Sequence, residues 1–437
     1  MGLEPGAHRA LMSDDRGIRD RFPFAKPSPN PPLAGVRVID AGNMVSAPFS
    51  TVLLADFGAD VIKLEHPVYG DGERKLEPII TLPNGQTVSL WWKNGARNKR
   101  CITLNLSKPE GAAIFKELAA TADVVVENYT PGTFERWGIG YEELKKVNPR
   151  LVMLRISGFG QTGPNRERGG FGRVAEAFAG LTNLIGEKDG PPMTPGIPLG
   201  DLITGLVGSW SIMVALYYRD ARGGEGQFID LGLYESIFRI LEFDPIQYDQ
   251  PDPRHPEKRV HTREGNQLSY VAPSDMFKTK DGYWVTHAAS NQQVFEKLCR
   301  AIGRAELIDD PRFKDNPSRV DHREEINGIV REWIAQRTRA ELAEQFDPLG
   351  IPYAPVFDMR DVFQDPHYLA REMLVRVLDP QLGDAVVQNA VPKFSKTPGG
   401  IKRLGPQELG AHNEEIYCGE LGYSKERLQE LRDSGVI

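Results

Sequence analysis

From Val36 onward, short β-branched runs alternate with amphipathic stretches: VRVID, then the helical period of Ala47 to Phe57, then DVIKL beginning at Asp60. This is a strand–helix–strand rhythm. It resumes with CITLNL from Cys101, a helix predicted to open at Ser107 with Glu110 completing a capping box, and DVVVE from Asp123. A further helix is predicted from Tyr141 to Val147, stopped by Asn148-Pro149, and LVMLRIS follows as a strand. Strands joined by helical crossovers predict an α/β fold with a parallel sheet covered on both faces, a Rossmann-like architecture.

The texture changes after Gln227. FIDLGLYESIF reads as a helix, a polar stretch with several prolines follows over 244–264, and FKTKDGYWV predicts a hairpin turning at Asp281-Gly282. Residues 323–346 have helical period, and GIPYAPV at 350–356 reads as a connector back to the first unit. The predicted organisation is an N-terminal extension over 1–32, a large Rossmann-like domain over 33–226, a smaller α+β domain with connectors over 227–349, and a returning C-terminal part over 350–437. The 17 charge-free residues from Leu202 to Tyr218 contain two glycines, two serines and a threonine, so a buried helix is expected rather than a membrane span.

Composition narrows the function classes. With 53 Lys and Arg against 60 Asp and Glu, the net charge is −7 and no basic stripe stands out, which argues against a nucleic-acid binder. Cys101, Cys299 and Cys418 lie far apart, without a CxxC pair, and point to a reducing, cytoplasmic setting. The eight histidines include no HExxH, so no metal site is expected. Residues 1–32 carry Asp14, Asp15 and Asp20 among arginines, unlike a signal or transit peptide, and read as an extension that wraps a neighbour.

Three groups of residues are candidates for chemistry. GFGQTG, from Gly158 to Gly163, matches the GxGxxG spacing but runs into Pro164 and a polar loop, so it lacks the helix that a dinucleotide fingerprint must open. Asn128, Tyr129 and Thr130 end a strand at the sheet edge where ligands bind, while Arg97, Lys99, Arg100 and Arg136 either hold phosphates or decorate solvated turns. Asp201 precedes the charge-free helix. It is an N-cap on one reading and an oxygen nucleophile, approached past Gly200, on the other.

Taken together, LAGVRVID, LLADFGADVIKLEHP, NGARNKRCITLNL, ADVVVENYTPGTFERWGIGYEEL, NPRLVMLRISGFGQTGP, PLGDLITG, GGEGQFIDLGLYES, GIPYAPV and ELGAHNEEI resemble the class III CoA-transferase family in number and order. That group contains formyl-CoA:oxalate and carnitine CoA-transferases and 2-methylacyl-CoA racemases. The resemblance implies a large domain built from both chain ends, an interlocked dimer, and acyl-CoA as substrate. It places the family's nucleophilic aspartate at Asp201 and implies CoA contacts from Ser46, His66, Leu104, Asn128, Tyr129, Thr130, Arg136 and Trp137.

Two positions depart from the family's pattern. His66 stands where an arginine usually meets phosphate, which leaves more of that charge to Arg100 and Arg136; Gly172 stands where an acid is usual, with Glu176 one turn later as its substitute. Phe171 occupies the position of the racemase histidine, so CoA exchange between carboxylic acids is expected over racemisation. The transferase glycine loop is reduced to Gly265 in VHTREGNQL. A CoA-binding partner subunit that leaves the chemistry to a paralogous chain is the third reading. Arg166, Arg168 and Arg173 are candidates to pair with the second carboxylate of a dicarboxylic acid such as succinate.

Overall fold

A computed structural model describes residues 17–250, 252–253, 256–289 and 291–437. The expected rhythm forms β1 (Arg37–Asp40), α1 (Ser46–Asp56), β2 (Asp60–Glu65), β3 (Arg100–Thr103), α2 (Pro109–Ala120), β4 (Val124–Glu127) and β5 (Val152–Ser157). Next come α3 (Gly172–Phe178), α4 (Leu199–Ala221), β6 (Phe228–Gly232) and α5 (Leu233–Ile240). The six strands make one parallel sheet in the order β3-β2-β1-β4-β5-β6. That is the doubly wound Rossmann order, whose direction reverses between β1 and β4.

Alternation along the strands builds two apolar layers. Ile39, Ile62, Ile102, Val125 and Met153 face α2 and a C-terminal segment that includes Tyr417 and Leu431. Val38, Val61, Val124, Leu154 and Ile156 face the other way, against α1, α4 and α5. Because both faces are covered, the strands read as near-continuous apolar runs rather than as alternating ones.

Several expectations are corrected. FIDLG is the sheet's sixth strand, and the helix starts only at Leu233. The sixth strand is legible as helix because its apolar residues merge into the amphipathic LYESIFRI. Ser107 caps nothing: its hydroxyl donates to Asn105, and α2 opens at Pro109 behind Lys108. Proline at the first helical position needs no hydrogen bond there and has its φ preset.

The chain divides into two units, one of residues 1–181, 195–243 and 363–437, the other of 182–194 and 244–362. The long segment of the smaller unit therefore begins at 244 rather than 227, and residues 182–194 join it. It holds a three-stranded antiparallel sheet, β7 (Ser274–Lys278), β8 (Trp284–Ala288) and β9 (Tyr353–Pro355), over a core that includes Phe277, Phe295, Phe313 and Phe346. The hairpin turns at Asp281-Gly282 as expected, with Gly282 at φ +86°. GIPYAPV is not a connector, since Tyr353–Pro355 pairs with β8.

The returning segment closes the large unit. A hairpin, β10 (Leu374–Asp379) and β11 (Gly383–Gln388), precedes a stretch in which the Tyr417 hydroxyl donates to Thr103 O and Asn413 brackets Thr103 at both amide atoms. Residues 1–16 of the predicted extension lie outside the described residues. Its remainder packs on its own chain: Ala25 N donates to Arg376 O, Arg376 N donates to Pro23 O, and Phe22 meets Phe363 edge-on.

Candidate functional site

The crevice beyond the carboxyl ends of β1 and β4 is the topological switch point, where doubly wound sheets bind ligands. The loop after β1 is fixed there by a reciprocal pair. Asn43 N donates to Asn128 Oδ1 (2.8 Å), and Asn128 Nδ2 donates to Asn43 O (2.7 Å). Asp71 accepts from Met44 N, and Gly72 N donates to Asn43 Oδ1. These bonds hold Met44 at φ +63°, a left-handed conformation that a non-glycine residue adopts only under such constraint.

Below the loop lies a fully buried charge network. Lys63 Nζ pairs with Asp71 (2.5 Å) and donates to Gly42 O (2.6 Å), while Lys99 Nζ meets Asp40 (2.9 Å) and Pro48 O. Burial alone would raise the Asp40 carboxyl, but the two ammonium groups and Thr51 outweigh it and hold it down. An isolated buried charge is prohibitive, so this network is stable only because each member has a partner. Lys99 is thus neither a phosphate ligand nor a solvated turn residue, and the same holds for Arg97, buried on Asp56.

Arg100 is corrected too. It opens β3 at the amino end of the sheet, where its guanidinium is divided among Asp60, Glu415 and Glu420. With three carboxylates on it, it has no remaining charge for a phosphate. Arg136 differs: it is exposed, and its one side-chain bond goes to Thr133 of its own turn.

The remaining expected residues gather along the carboxyl edge. Leu104 is buried just past β3, and Ser46 opens α1. Asn128, Tyr129 and Thr130 follow β4, with Tyr129 edge-on to Trp137 at 5.1 Å between centroids. Glu127 Oε2 accepts from Tyr129 N and so fixes this loop; burial pushes the Glu127 carboxyl up to about 7 despite the opposing charge of Arg155. His66 stacks on Tyr69 and accepts from Val68 N at Nδ1, and burial lowers its proton affinity. A neutral ring there brings no charge toward a phosphate.

Asp201 lies on the third residue of α4, whose N-cap is Pro198. Its carboxylate therefore does not cap its own helix. It lies instead against Gly172, which begins α3 and whose backbone amide favours its charged form. A Cβ on Gly172 would stand 2.4 Å from Asp201 Oδ2, so only glycine permits this approach. One turn on, Glu176 is fully buried and caps α4, its Oε1 accepting from Gly200 N at 2.8 Å, while Oε2 has no partner. Burial pushes the Asp201 carboxyl up to about 6; the Gly172 amide opposes that rise and the charge of Glu176 adds to it. Gly205 meets Phe49 and the carbonyl of Ser46, which brings the second turn of α4 against the start of α1.

Of the three arginines proposed for a second carboxylate, Arg166 pairs with Glu167 and Arg168 lies over the Phe159 ring. Arg173, in the first turn of α3, is exposed and has no ion-pair or hydrogen-bond partner among the described residues. Asn43 was not singled out from sequence. Its signal was the polar AGN following a buried strand, which points to a loop facing a ligand rather than to packing.

A Rossmann-ordered sheet with a partly buried carboxylate in the first turn of a helix packed on it defines a doubly wound α/β protein. Comparison with known proteins makes this particular: residues 33–413 match the model of CoA-transferase family III, and the chain belongs to that family. It is 43% identical over 409 residues to the succinyl-CoA–L-malate CoA-transferase beta subunit of Chloroflexus aurantiacus, covering 93% of this chain and 98% of that one. Identity to the succinyl-CoA–D-citramalate CoA-transferase of the same organism is 40%, covering 94% and 99%. The human succinyl-CoA:glutarate CoA-transferase is 36% identical, covering 93% and 90%. Among solved structures, a CaiB/BaiF family protein from Brucella suis superposes with a TM-score of 0.76 at 32% identity, over 89% of this chain and 99% of that one.

Proposed function

We propose that this CoA-transferase moves CoA from succinyl-CoA to a second small dicarboxylic acid, with Asp201 as the nucleophile. The observation that carries this reading is the Asp201 carboxylate itself, held in a glycine-cleared niche at the start of α4. Its oxygen attacks the thioester carbonyl carbon, the C–S bond breaks, and the electron pair leaves with CoA as thiolate. The thiolate then attacks the aspartyl carbonyl of the mixed anhydride, releasing succinate and leaving an aspartyl-CoA thioester. The acceptor carboxylate runs these steps in reverse. Splitting the exchange this way conserves the thioester's free energy.

In this reading, Asn128, Tyr129, Thr130, Leu104, Ser46 and Trp137 line the CoA arm, Arg136 meets phosphate, and the ring of His66 packs without charge. The names of the similar proteins support the donor and the acceptor class: each joins succinyl-CoA to a dicarboxylic acid. Arg173 is the cation proposed for the distal carboxylate. Phe171 offers no base for an α-proton, which disfavours racemisation.

A second reading rests on two relatives, 43% and 38% identical, that are beta and alpha subunits of one transferase. It makes this chain half of a heteromer. Incubating the purified chain with succinyl-CoA, quenching with hydroxylamine and mapping peptides tests both. A hydroxamate at Asp201 is expected. Succinyl-CoA turnover that leaves Asp201 unmodified would overturn the nucleophile, and no turnover until a paralogous chain is added would establish the second reading.

A further inference from the structure

Two carboxyls lie at the start of α4, Glu176 fully buried and Asp201 partly so, yet the exchange proposed above uses only one. Glu176 is fully buried and reaches from α3 under Gly200, where a Cβ would stand 3.2 Å from its Cγ. One oxygen caps α4. The other has no hydrogen-bond partner, although leaving a buried carboxyl oxygen alone is unfavourable. A glutamine or serine would cap Gly200 N without placing a second acid beside Asp201. The glycine at 172 draws Asp201 toward this group, because its missing Cβ is what lets Oδ2 lie against α3.

We propose that Glu176 is a positioning residue that loads Asp201 for acylation: its charge, fixed by the α4 cap, repels the Asp201 carboxylate until acylation removes that charge. This rests on the reading of Asp201 as nucleophile. Like charges at close range raise the free energy of the resting carboxylate, and the ester-like product is neutral, so the repulsion disappears as the C–O bond forms and the C–S bond breaks. A more basic carboxylate is also a better nucleophile above its own titration.

The other charges around α4 are engaged elsewhere. On α1, Asp56 is held by Arg97; on α5, Glu235 accepts from Gly232 N, Tyr234 has its proton affinity raised by burial, and Arg239 pairs with Glu242. On β5, Arg155 pairs with Glu127 and Glu135, and on β6, Asp230 accepts from Gln161 N. Arg173 shares α3 with Glu176 but is exposed to water. Among the described side chains, Glu176 is the one that adds, after burial, to the rise of the Asp201 carboxyl.

The test is the pH dependence of kcat/KM for succinyl-CoA in the full-length wild type, in Glu176→Gln and in Glu176→Asp. Glutamine keeps the acceptor for Gly200 N and removes the charge. The acid limb, near pH 6 in the wild type, is expected to fall by roughly one pH unit in Glu176→Gln, equivalent to a tenfold change in proton affinity. Substrate ionisation is common to all three proteins, so the difference isolates the enzyme. A folded Glu176→Gln whose midpoint does not move overturns the proposal. Should that variant not fold, Glu176→Asp decides: retracting the charge by one methylene must lower the midpoint by part of the same shift, and an unchanged midpoint overturns it. Hydroxylamine trapping separates this from the underlying reading. An Asp201 hydroxamate with an unmoved midpoint sinks only the role of Glu176, whereas turnover with Asp201 unlabelled sinks the nucleophile itself.

Discussion

Asp201 occupies a place that resists its own charge, and this makes stability and activity pull in opposite directions. Its folded-state affinity for a proton, about 6, exceeds the ordinary 3.8, so the native state binds that proton more tightly than the unfolded chain does. The stabilisation this gives is complete below pH 3.8 and is lost as pH rises through 6. Asp201→Asn keeps an acceptor for the Gly172 amide and removes the ionisation. At pH 7.5 the variant is expected to be more stable than wild type by about 2 kcal/mol, the two-unit shift discounted for partial exposure, and to melt about 3–5 °C higher. Transfer falls by about 10³-fold or more. Calorimetry at pH 7.5 and pH 3.5 checks the sign, because the advantage must vanish at the lower pH; an advantage that persists there refutes the linkage. Sequence marked Asp201 but could not separate cap from nucleophile, since both put an acid at a helix start. The structure sets aside the cap alone, since the amide beside this carboxylate belongs to α3 rather than α4, and that proximity exists only after folding.

At the scale of elements, the site depends on how closely α4 can lie on α1 and how firmly the β1 loop is tied to β4. Glycines set the first: Gly205 lies against Phe49, and a Cβ on Gly208 would come within 3.4 Å of Ser50 Cβ. Asn43 and Asn128 set the second. Asn128→Ala removes both cross-loop bonds, so stability is expected to drop by about 1–2 kcal/mol. KM for acyl-CoA should rise about tenfold while kcat changes much less, because the loop positions substrate and takes no part in bond making. Steady-state kinetics against succinyl-CoA would refute the assignment by showing an unchanged KM. The strands around this site were legible, since buried parallel strands announce themselves as Val and Ile runs. The first helical turns were less so: Ser107 satisfied a capping pattern, yet Pro109 determined where α2 opens. Basic residues in NGARNKR were the least legible, because nothing local says that Arg97, Lys99 and Arg100 each face a carboxylate distant in sequence.

For the whole molecule, α4 raises a question of what covers it. Its 23 residues are apolar enough to cross a membrane by length and composition, and the expected buried helix is only half realised. Gly208, Ile212 and Ala215 face the sheet, but Leu206, Trp210, Met213, Val214, Tyr217 and Tyr218 form an exposed stripe at helical spacing. Trp210 and Tyr217 are 65% and 63% exposed. A contiguous apolar stripe of this kind marks an interface, and a self-complementary one closes by two-fold symmetry. The order of strands was not readable from periodicity, because adjacency is decided by crossovers that carry no local signal. The stripe was readable but ambiguous, since a core helix and an interface helix share one composition. The assembly we propose, a dimer with α4 at its interface, predicts sedimentation at about twice the 48.7 kDa chain mass. Trp210→Asp combined with Tyr217→Asp should give a monomer whose thermal unfolding at pH 7.5 comes earlier and depends less on protein concentration. If the doubly substituted chain sediments with the wild type, α4 is not the interface, and its aromatic stripe must meet some other surface.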